Sequence, residues 1–288
     1  MMTAACIDPS PVRAGKAGQG IELALIGTET IEVHTYRPRG CSGGGLMFIF
    51  PGYERNAHGY MRRARRIARE ECLTIFAPEM DQDRFPRSRY QRAGVSRAGR
   101  ASLDETCMGL FLRRLLDWAR RLEQRPDAPY VLFGHSAGAQ LLSRVAAYCP
   151  MQSPARIILA NPSSYVAPSL IEPAPYGFGG ILDVREREER LRACLAQPIT
   201  IYLGDADLGD FRLDETANAN RQGPTRFARG QATYQAGRDM AVARGWAFNW
   251  RLVVAKGIGH SSKGMLRAAE MSAAIGASGA GATDNGDR

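Results

Sequence analysis

The chain has 288 residues, of which 44% are hydrophobic and 23% charged, and its formal net charge is +9. This composition is typical of a globular chain with a sizeable core, and it excludes a low-complexity or fibrous protein. No stretch approaches the roughly 18 consecutive apolar residues that a membrane span requires, and the N-terminus lacks an apolar segment of signal-peptide length. The sequence therefore predicts a cytoplasmic location and no membrane span.

Eight strand-like segments follow a leader, residues 1–20, that we expect to be flexible. The segment 21–38 is predicted to form two strands around a turn at Gly27 and Thr28. The later segments are short and continuously apolar, which is typical of strands buried on both faces of a sheet. These segments span residues 46–52, 73–80, 130–134, 155–162, 199–205 and 250–257.

Helical segments lie between the apolar runs. The clearest begins at Ser102, which is predicted to form a capping box with Glu105. One face of this helix is apolar along its length. That face consists of Leu103, Cys107, Phe111, Leu115, Trp118 and Leu122.

The alternation of strands and helices predicts an α/β fold with a mainly parallel central sheet and helices on both faces. We expect one domain over residues 21–276 and a disordered tail over residues 277–288. In such a sheet the functional groups lie on loops at the carboxyl ends of the strands. Catalytic residues are therefore expected just after the apolar runs.

The cysteines are scattered singly and form no CxxC pair. This pattern indicates neither a zinc site nor a disulfide framework, so we expect free thiols in a reducing compartment. The six positions are Cys6, Cys41, Cys72, Cys107, Cys149 and Cys194.

Two arginine-rich runs supply much of the positive charge. The run at 62–69 has helical spacing, which is typical of a solvated helix face. The run at 84–100 lies in a predicted loop after a strand that faces the site, and the sequence leaves its role open.

The stretch YVLFGHSAGAQ, residues 130–140, has the features of a nucleophile elbow. A buried strand precedes Ser136 and a helix follows it, so the serine is predicted to lie on a sharp strand-to-helix turn. Gly134 and Gly138 leave room for neighbouring backbone, and the helix N-terminus favours negative charge at Ser136. Ser136 is therefore the predicted nucleophile.

A serine hydroxyl needs a base, and the chain has four histidines. His34 lies in the N-terminal strand pair, His58 lies near a helix start, and His135 is predicted to pack at the elbow. His260 follows the last predicted strand and precedes the final helix, which is where a base would reach the serine. We therefore predict His260 as the base.

The acid that orients the histidine is expected after the penultimate strand, in ITIYLGDADLGD. Asp207 is the first choice because it is the fourth residue of a G-x-x-D turn, with Asp205 and then Asp210 as alternatives. The resulting chain order of serine, aspartate and histidine is the order that α/β-hydrolases use.

An oxyanion hole requires two backbone N–H groups aimed at the developing alkoxide. The residue after the nucleophile, Ala137, provides one. Pro51 has no N–H, so Tyr53 is the predicted second donor, with Gly52 permitting the turn. The segment 163–197 is expected to cover the site as a partial lid, and Tyr165 is a candidate for the acyl pocket.

Six motifs together resemble bacterial α/β-hydrolases of the polyhydroxybutyrate-depolymerase-like esterase group. They are PGYERNA (51–57), GHSAGAQ (134–140), NPSSY (161–165), PITIYLGDADL (198–208), RQGPTRFARGQATYQAG (221–237) and GIGH (257–260).

The resemblance spans about residues 45–270 and implies an α/β-hydrolase fold with ester hydrolysis that needs no metal or other cofactor. It also implies the roles already given to Ser136, Asp207 and His260, and it supports Tyr53 and Ala137 as oxyanion donors. Relatives usually carry His-Gly where this chain has Pro51-Gly52, and the arginine-rich loop differs from the family.

The sequence thus predicts a serine hydrolase that cleaves carboxylic esters through an acyl-enzyme, with a short-chain or hydroxyacyl ester as its small-molecule partner. An acyl thioesterase is the alternative within the enzyme class. A non-catalytic basic module that binds nucleic acid or acidic surfaces is the alternative outside it, and nucleic acid is not the expected partner. The oligomeric state stays open.

Overall fold

The computed structural model describes residues 16–41, 43–95, 107–180 and 183–276, and within them the chain forms one eight-stranded sheet. The strands are β1 (Gly18–Ile26), β2 (Glu29–Arg37), β3 (Leu46–Phe50), β4 (Thr74–Pro78), β5 (Tyr130–His135), β6 (Arg156–Ala160), β7 (Ile199–Gly204) and β8 (Arg251–Ala255). Their order is β1-β2-β4-β3-β5-β6-β7-β8. β1 and β2 pair antiparallel with their neighbours, and the other strands are parallel. The predicted α/β fold is confirmed.

The central strands are apolar because both faces of the sheet are covered. In β3 all five residues are buried. Leu46, Phe48 and Phe50 join the hydrophobic cluster on one face, while Met47 and Ile49 join the cluster on the other. A continuous apolar run therefore serves two cores at once.

Helices cover both faces of the sheet. In the described part of the chain they are α1 (Ala57–Glu70), α2 (Met108–Leu122), α3 (Ala137–Tyr148), α4 (Val184–Leu195), α5 (Ala217–Asn220), α6 (Arg226–Arg244), α7 (Ser262–Arg267) and α8 (Met271–Ile275). Residues of α2, α3, α4 and α6 belong to one cluster, and residues of α1, α7 and α8 belong to the other. None of these helices combines the length and the apolar character that a bilayer crossing requires.

The helix predicted from Ser102 is seen from Met108 onward as α2, and Phe111 and Leu115 pack in the core as expected. The predicted capping box of Ser102 and Glu105 lies outside the described residues. At the N-terminus, β1 begins at Gly18, three residues inside the predicted leader.

Four of the cysteines are paired, so the prediction of free thiols is wrong for them. Cys41 bonds to Cys72 and Cys107 bonds to Cys149, with Cα atoms 5.2 and 6.3 Å apart, within the usual range for disulfides. The partners are 31 and 42 residues apart in sequence and are brought together only by the packing of the elements that flank them. Spacing along the chain therefore gave no sign of them.

The fifth described cysteine, Cys194, is a buried free thiol in α4, and its burial raises its pKa to about 12. Cys6 lies outside the described residues.

Candidate active site

The turn between β5 and α3 forces Ser136 into a strained conformation. Its φ is +53°, in the left-handed region that side chains rarely adopt. A Cβ on Gly138 would overlap the carbonyl of Phe50, and one on Gly134 would overlap the backbone of Gly138. Strand and helix therefore meet closely enough to hold Ser136 on a sharp bend.

The structure brings Ser136, His260 and Asp207 together at the carboxyl edge of the sheet. The Nε2 atom of His260 lies 3.0 Å from the Oγ atom of Ser136. The Nδ1 atom of His260 lies 2.7 Å from the Oδ2 atom of Asp207. The side chain of Asp207 is 1% exposed and that of His260 is 28% exposed. This chain of contacts can pass a proton from the serine to the histidine while a buried carboxylate holds the ring.

The other two carboxylates considered for the acid occupy different places. The Oδ1 atom of Asp205 accepts a hydrogen bond of 2.6 Å from the backbone N–H of Gly257, and Ala206 N–H donates to the carbonyl of Ile258. These bonds tie the loop after β7 to the loop that carries His260. Asp210 is exposed at the surface.

The second oxygen of Asp207 faces Arg226, whose Nη1 atom lies 3.5 Å from Oδ1. Arg226 is also buried and donates hydrogen bonds to the carbonyls of Gly209 and Phe211, at 3.2 and 2.7 Å. Burial lowers the pKa of Arg226, and Asp207 opposes that effect. A buried carboxylate is costly without a partner, and the guanidinium group of Arg226 is the cation that faces Asp207 on this side.

His135 packs behind His260 and does not face the hydroxyl of Ser136. Its ring lies 4.9 Å from that of His260, and its Nδ1 atom is 2.8 Å from the hydroxyl of Tyr60. Burial, and then the charge of His260, lower the pKa of His135 well below its usual value. His135 is therefore a neutral packing residue, as expected from its position.

The loop after β3 lies against Ser136. A Cβ added to Gly52 would come 3.5 Å from the Cβ of Ser136. The Gly52 N–H already donates to the Tyr60 hydroxyl at 3.0 Å. Within the described residues, the N–H groups of Tyr53 and Ala137 have no acceptor. These two donors are free to bind an anion beside Ser136.

A cavity of about 510 Å³ opens in front of Ser136. Its walls carry two arginines that are paired with acidic residues of the same cavity. Arg87 lies 3.4 Å from Asp214, and Arg212 pairs with Glu54. In the part of the chain that the structure describes, no group of three or more histidine, cysteine, aspartate or glutamate side chains is arranged to hold a metal ion.

Asp214 anchors one wall of this cavity. Its carboxylate accepts hydrogen bonds from the Tyr176 hydroxyl at 3.0 Å, the Ser164 hydroxyl at 3.3 Å and the Thr216 N–H at 3.2 Å. Burial alone would raise the pKa of Asp214, but the hydrogen bonds from Thr216 and Tyr176, with the charge of Arg87, outweigh it and lower the pKa.

Part of the arginine-rich loop supports the site from behind. The Tyr90 hydroxyl is fully buried and donates to the carbonyl of Pro51 at 2.9 Å, which fixes the loop beside Ser136. Arg55 lies 3.4 Å above the Tyr90 ring. Arg89 pairs with Glu29 of β2. The residues of this run beyond Val95 lie outside the described part of the chain.

Solved structures show what this chain resembles. The poly(3-hydroxybutyrate) depolymerase LpqC of Bordetella parapertussis is 30% identical over 88% of this chain and 87% of its own, with a TM-score of 0.78. Poly(aspartic acid) hydrolase-1 of Sphingomonas sp. KT-1 is 31% identical over 87% of this chain and 96% of its own, with a TM-score of 0.79. This chain belongs to the α/β-hydrolases.

More distant similarity concerns the fold alone. An S-formylglutathione hydrolase of Agrobacterium tumefaciens is 18% identical over 85% of this α/β-hydrolase and 88% of its own chain, with a TM-score of 0.54. No family model and no curated protein sequence matches the chain. The relatives at 30% and 31% identity are hydrolases, which supports an esterase-type α/β-hydrolase.

Two expectations about the substrate pocket of this α/β-hydrolase need correction. Tyr165 is 1% exposed and does not line the cavity in front of Ser136. Its backbone N–H donates to Gln222, and its ring lies behind the site, next to α6. Of the described residues in the predicted lid, only Ser163 lines the cavity.

The segment predicted as a lid packs against α3 instead. The buried Arg144 of that helix donates to the carbonyls of Ser164 and Pro175, at 2.7 and 3.1 Å, and so holds the segment down. An apolar and proline-rich stretch between two strands looks the same in sequence whether it lies over a site or beside it.

Arg226 is a residue of the candidate site that the sequence did not predict. It lies in the first turn of α6, directly after the capping residue Thr225. A cation there is disfavoured by the helix dipole, and a nearby anion offsets that cost. That anion is Asp207.

Proposed function

We propose that this protein is a serine carboxylic-ester hydrolase that works through an acyl-enzyme. Ser136 is the nucleophile, His260 is the general base and Asp207 orients the imidazole. The observation that carries the proposal is the continuous series of contacts, 3.0 Å from Ser136 to His260 and 2.7 Å from His260 to Asp207. The strained elbow of Ser136 supports it, because strain at a single serine is typical of this nucleophile.

In the first half-reaction, the Oγ atom of Ser136 attacks the ester carbonyl as His260 Nε2 takes the hydroxyl proton. The tetrahedral oxyanion accepts hydrogen bonds from the Tyr53 and Ala137 N–H groups. Collapse of this intermediate breaks the ester bond, and His260 returns the proton to the departing alcohol. Each oxyanion donor typically contributes about 10²–10³-fold to the rate.

In the second half-reaction, a water gives a proton to His260 and attacks the acyl-enzyme. The same oxyanion donors stabilise the second tetrahedral intermediate. Its collapse releases the carboxylic acid and returns the proton to Ser136. The Gly52 N–H takes no part, because it is already bound to Tyr60.

Short-chain or hydroxyacyl esters are the proposed substrates. A poly(3-hydroxybutyrate) depolymerase is among the similar proteins, and its substrate is a hydroxyacyl ester. The cavity of about 510 Å³ has room for a small acyl group together with its alcohol.

The sequence predicts a cytoplasmic location, and this stays a prediction. The two disulfides count against it, because disulfides persist mainly in oxidising compartments. We therefore propose that the protein works in an oxidising environment.

The test of the proposed function is hydrolysis of a neutral chromogenic acetyl ester by wild type and by Ser136→Ala. We expect the variant to lose about 10⁴-fold or more in kcat, with its melting temperature retained. Equal rates in the two proteins would contradict the assignment of the nucleophile. A matched panel of esters and thioesters of increasing chain length then decides between an esterase and a thioesterase.

A further inference from the structure

A basic groove runs between α1 and α7, next to the active-site cavity. Its volume is about 630 Å³, and apart from Gly59 every lining residue is a cation. The groove is lined by Arg62, Arg63, Arg65, Arg66, Arg69, Lys263 and Arg267. The sequence predicts this run of arginines as a solvated helix face. The structure gathers it, with two cations of α7, into one concave surface.

Most of the positive charge in the groove is not neutralised by the protein. Arg66 pairs with Glu70 at 2.8 Å and is the only groove residue with an ion pair among the described residues. Arg65 lies 5.1 Å from the centroid of the Tyr36 ring. Arg62, Lys263 and Arg267 are exposed and have no carboxylate within ion-pair distance in the described part of the chain.

The groove and the catalytic cavity adjoin at Arg63, which lines both. The Nη1 atom of Arg63 donates to the hydroxyl of Ser262 at 3.1 Å, two residues after His260. Inside the cavity Arg87 and Arg212 are paired with acidic neighbours, whereas Arg63 is not paired among the described residues. Positive potential therefore extends from the groove toward Ser136 along the α1 side.

We propose that the groove binds the carboxylates of an anionic chain whose ester bond lies at Ser136. This inference rests on the ester hydrolysis proposed above and names its substrate class, a carboxylic ester that is part of a polycarboxylate chain. Arginine suits such a ligand, because the guanidinium group binds carboxylates through two parallel hydrogen bonds.

The length of the groove fits several carboxylates rather than one. From Arg62 to Arg69 the helix rises about 10 Å, at about 1.5 Å per residue. A nucleic acid would also match the charge, but it has no carboxylic ester to present to Ser136. The position of Arg63 on the walls of both the groove and the cavity therefore favours a chain that reaches from one to the other.

Two triple variants with equal changes in charge test the inference. The groove variant is Arg62→Gln, Lys263→Gln and Arg267→Gln. The control variant is Arg121→Gln, Arg192→Gln and Arg238→Gln, three exposed arginines on helices of the opposite face of the sheet. Each variant removes three positive charges, so a difference between them reports position and not net charge.

The probe is a short oligoacrylate, a polycarboxylate without an ester or amide bond. It is used to inhibit hydrolysis of the neutral acetyl ester, which is too short to reach the groove. We expect competitive inhibition of wild type and a rise in Ki of about tenfold in the groove variant, with less than about twofold in the control. KM and kcat for the neutral ester stay unchanged in both variants.

Salt dependence provides a second readout. The plot of log Ki against log salt should be linear for wild type and should have a smaller slope for the groove variant, because fewer counterions are displaced. The control variant should keep the slope of wild type.

Three outcomes would overturn the inference. One is equal inhibition of the groove and control variants, and another is non-competitive inhibition, which would separate the groove from the cavity. The third is that a DNA duplex binds more tightly than oligoacrylate and that the groove variant loses this DNA binding. The groove would then be a nucleic-acid surface. Labelled oligoacrylate can be titrated directly into Ser136→Ala, so the groove is testable even if no ester is hydrolysed and the proposed function fails.

Discussion

Asp207 and Asp214 lie at opposite ends of the same loop, and both are almost completely buried, at 1% and 6% exposure. Asp207 faces His260 and Arg226, while Asp214 faces hydroxyl groups and the half-exposed Arg87. Burial and charge are thus similar, and only the partners differ. Asp207 contacts His260, the proposed general base, whereas Asp214 holds the cavity wall.

This difference teaches that the groups which a loop carboxylate meets, and not its burial or charge, set its task. Asp207 follows the end of β7 by three residues, within reach of the loop after the neighbouring parallel strand β8. Asp214 lies seven residues further on, where the loop has left the sheet edge and packs against Tyr176 and Ser164. The following predictions test how separate the two tasks are.

The largest effect is expected from Asp207→Asn. An amide cannot stabilise the imidazolium that forms on His260 and favours the wrong tautomer, so kcat should fall by about 10⁴-fold. Steady-state hydrolysis of the acetyl ester measures this, with Asp214→Asn as the matched control. If the two substitutions reduced kcat equally, the division of tasks would be wrong.

A smaller effect is expected from Asp214→Asn itself. The change removes the partner of Arg87 and weakens the hydrogen bonds from Tyr176 and Ser164 at the wall. We expect KM to rise about tenfold while kcat changes by less than about threefold, because the wall contacts substrate and not the reacting atoms. The free energy of unfolding should also fall, by about 1–3 kcal/mol. A loss confined to kcat would contradict this role.

Asp205→Asn extends the comparison to a third carboxylate of the same loop. Asp205 is closer to β7 than Asp207, yet it contacts the backbone of Gly257 and not a catalytic side chain. An asparagine oxygen can still accept that hydrogen bond, so most activity should remain, with a fall of less than about fivefold in kcat/KM. Asp205→Ala is the companion variant, and its larger loss would show that the hydrogen bond positions the histidine loop.

The smallest effect is expected at His135, a buried histidine that contacts Tyr60, whereas His260 contacts Ser136. Its pKa in the folded protein lies well below 6.5, so only the unfolded chain takes up this proton as the pH falls through about 6.5. The contribution of His135 to the free energy of unfolding is therefore fully present above pH 6.5. Below pH 6.5 this contribution decreases by about 1.4 kcal/mol per pH unit. Urea unfolding at several pH values measures the slope for wild type and for His135→Asn. Identical slopes would show that His135 is charged in the folded state.

The sequence allowed the fold to be predicted, and also the candidate residues Ser136, Asp207 and His260 that the structure brings together, because each signal is local. Ser136, Asp207 and His260 each follow an apolar run, and each can be identified from the residues directly beside it. A parallel sheet then brings the ends of its strands to one edge. The eight predicted strands all appear, with boundaries shifted by a few residues.

The features that the sequence did not predict depend on contacts between distant residues. The partner of Cys107 is 42 residues away, and Arg226 meets Asp207 only after α6 has packed beside β7. Tyr165 follows a strand, as a pocket residue would, but α3 and α6 enclose it. Such pairings depend on how the helices and strands pack, so local sequence patterns do not predict them.

Arg226 has a consequence for anyone who would alter this protein. One guanidinium group contacts the carboxylate of Asp207 and also the carbonyls of Gly209 and Phe211, next to the cavity wall. Exchanging the exposed side chain of Phe211 leaves those carbonyls in place, whereas an insertion or deletion at Gly209 would move the acid together with the wall. Engineering of substrate range is therefore expected to succeed by replacing side chains in this loop and to fail by changing its length.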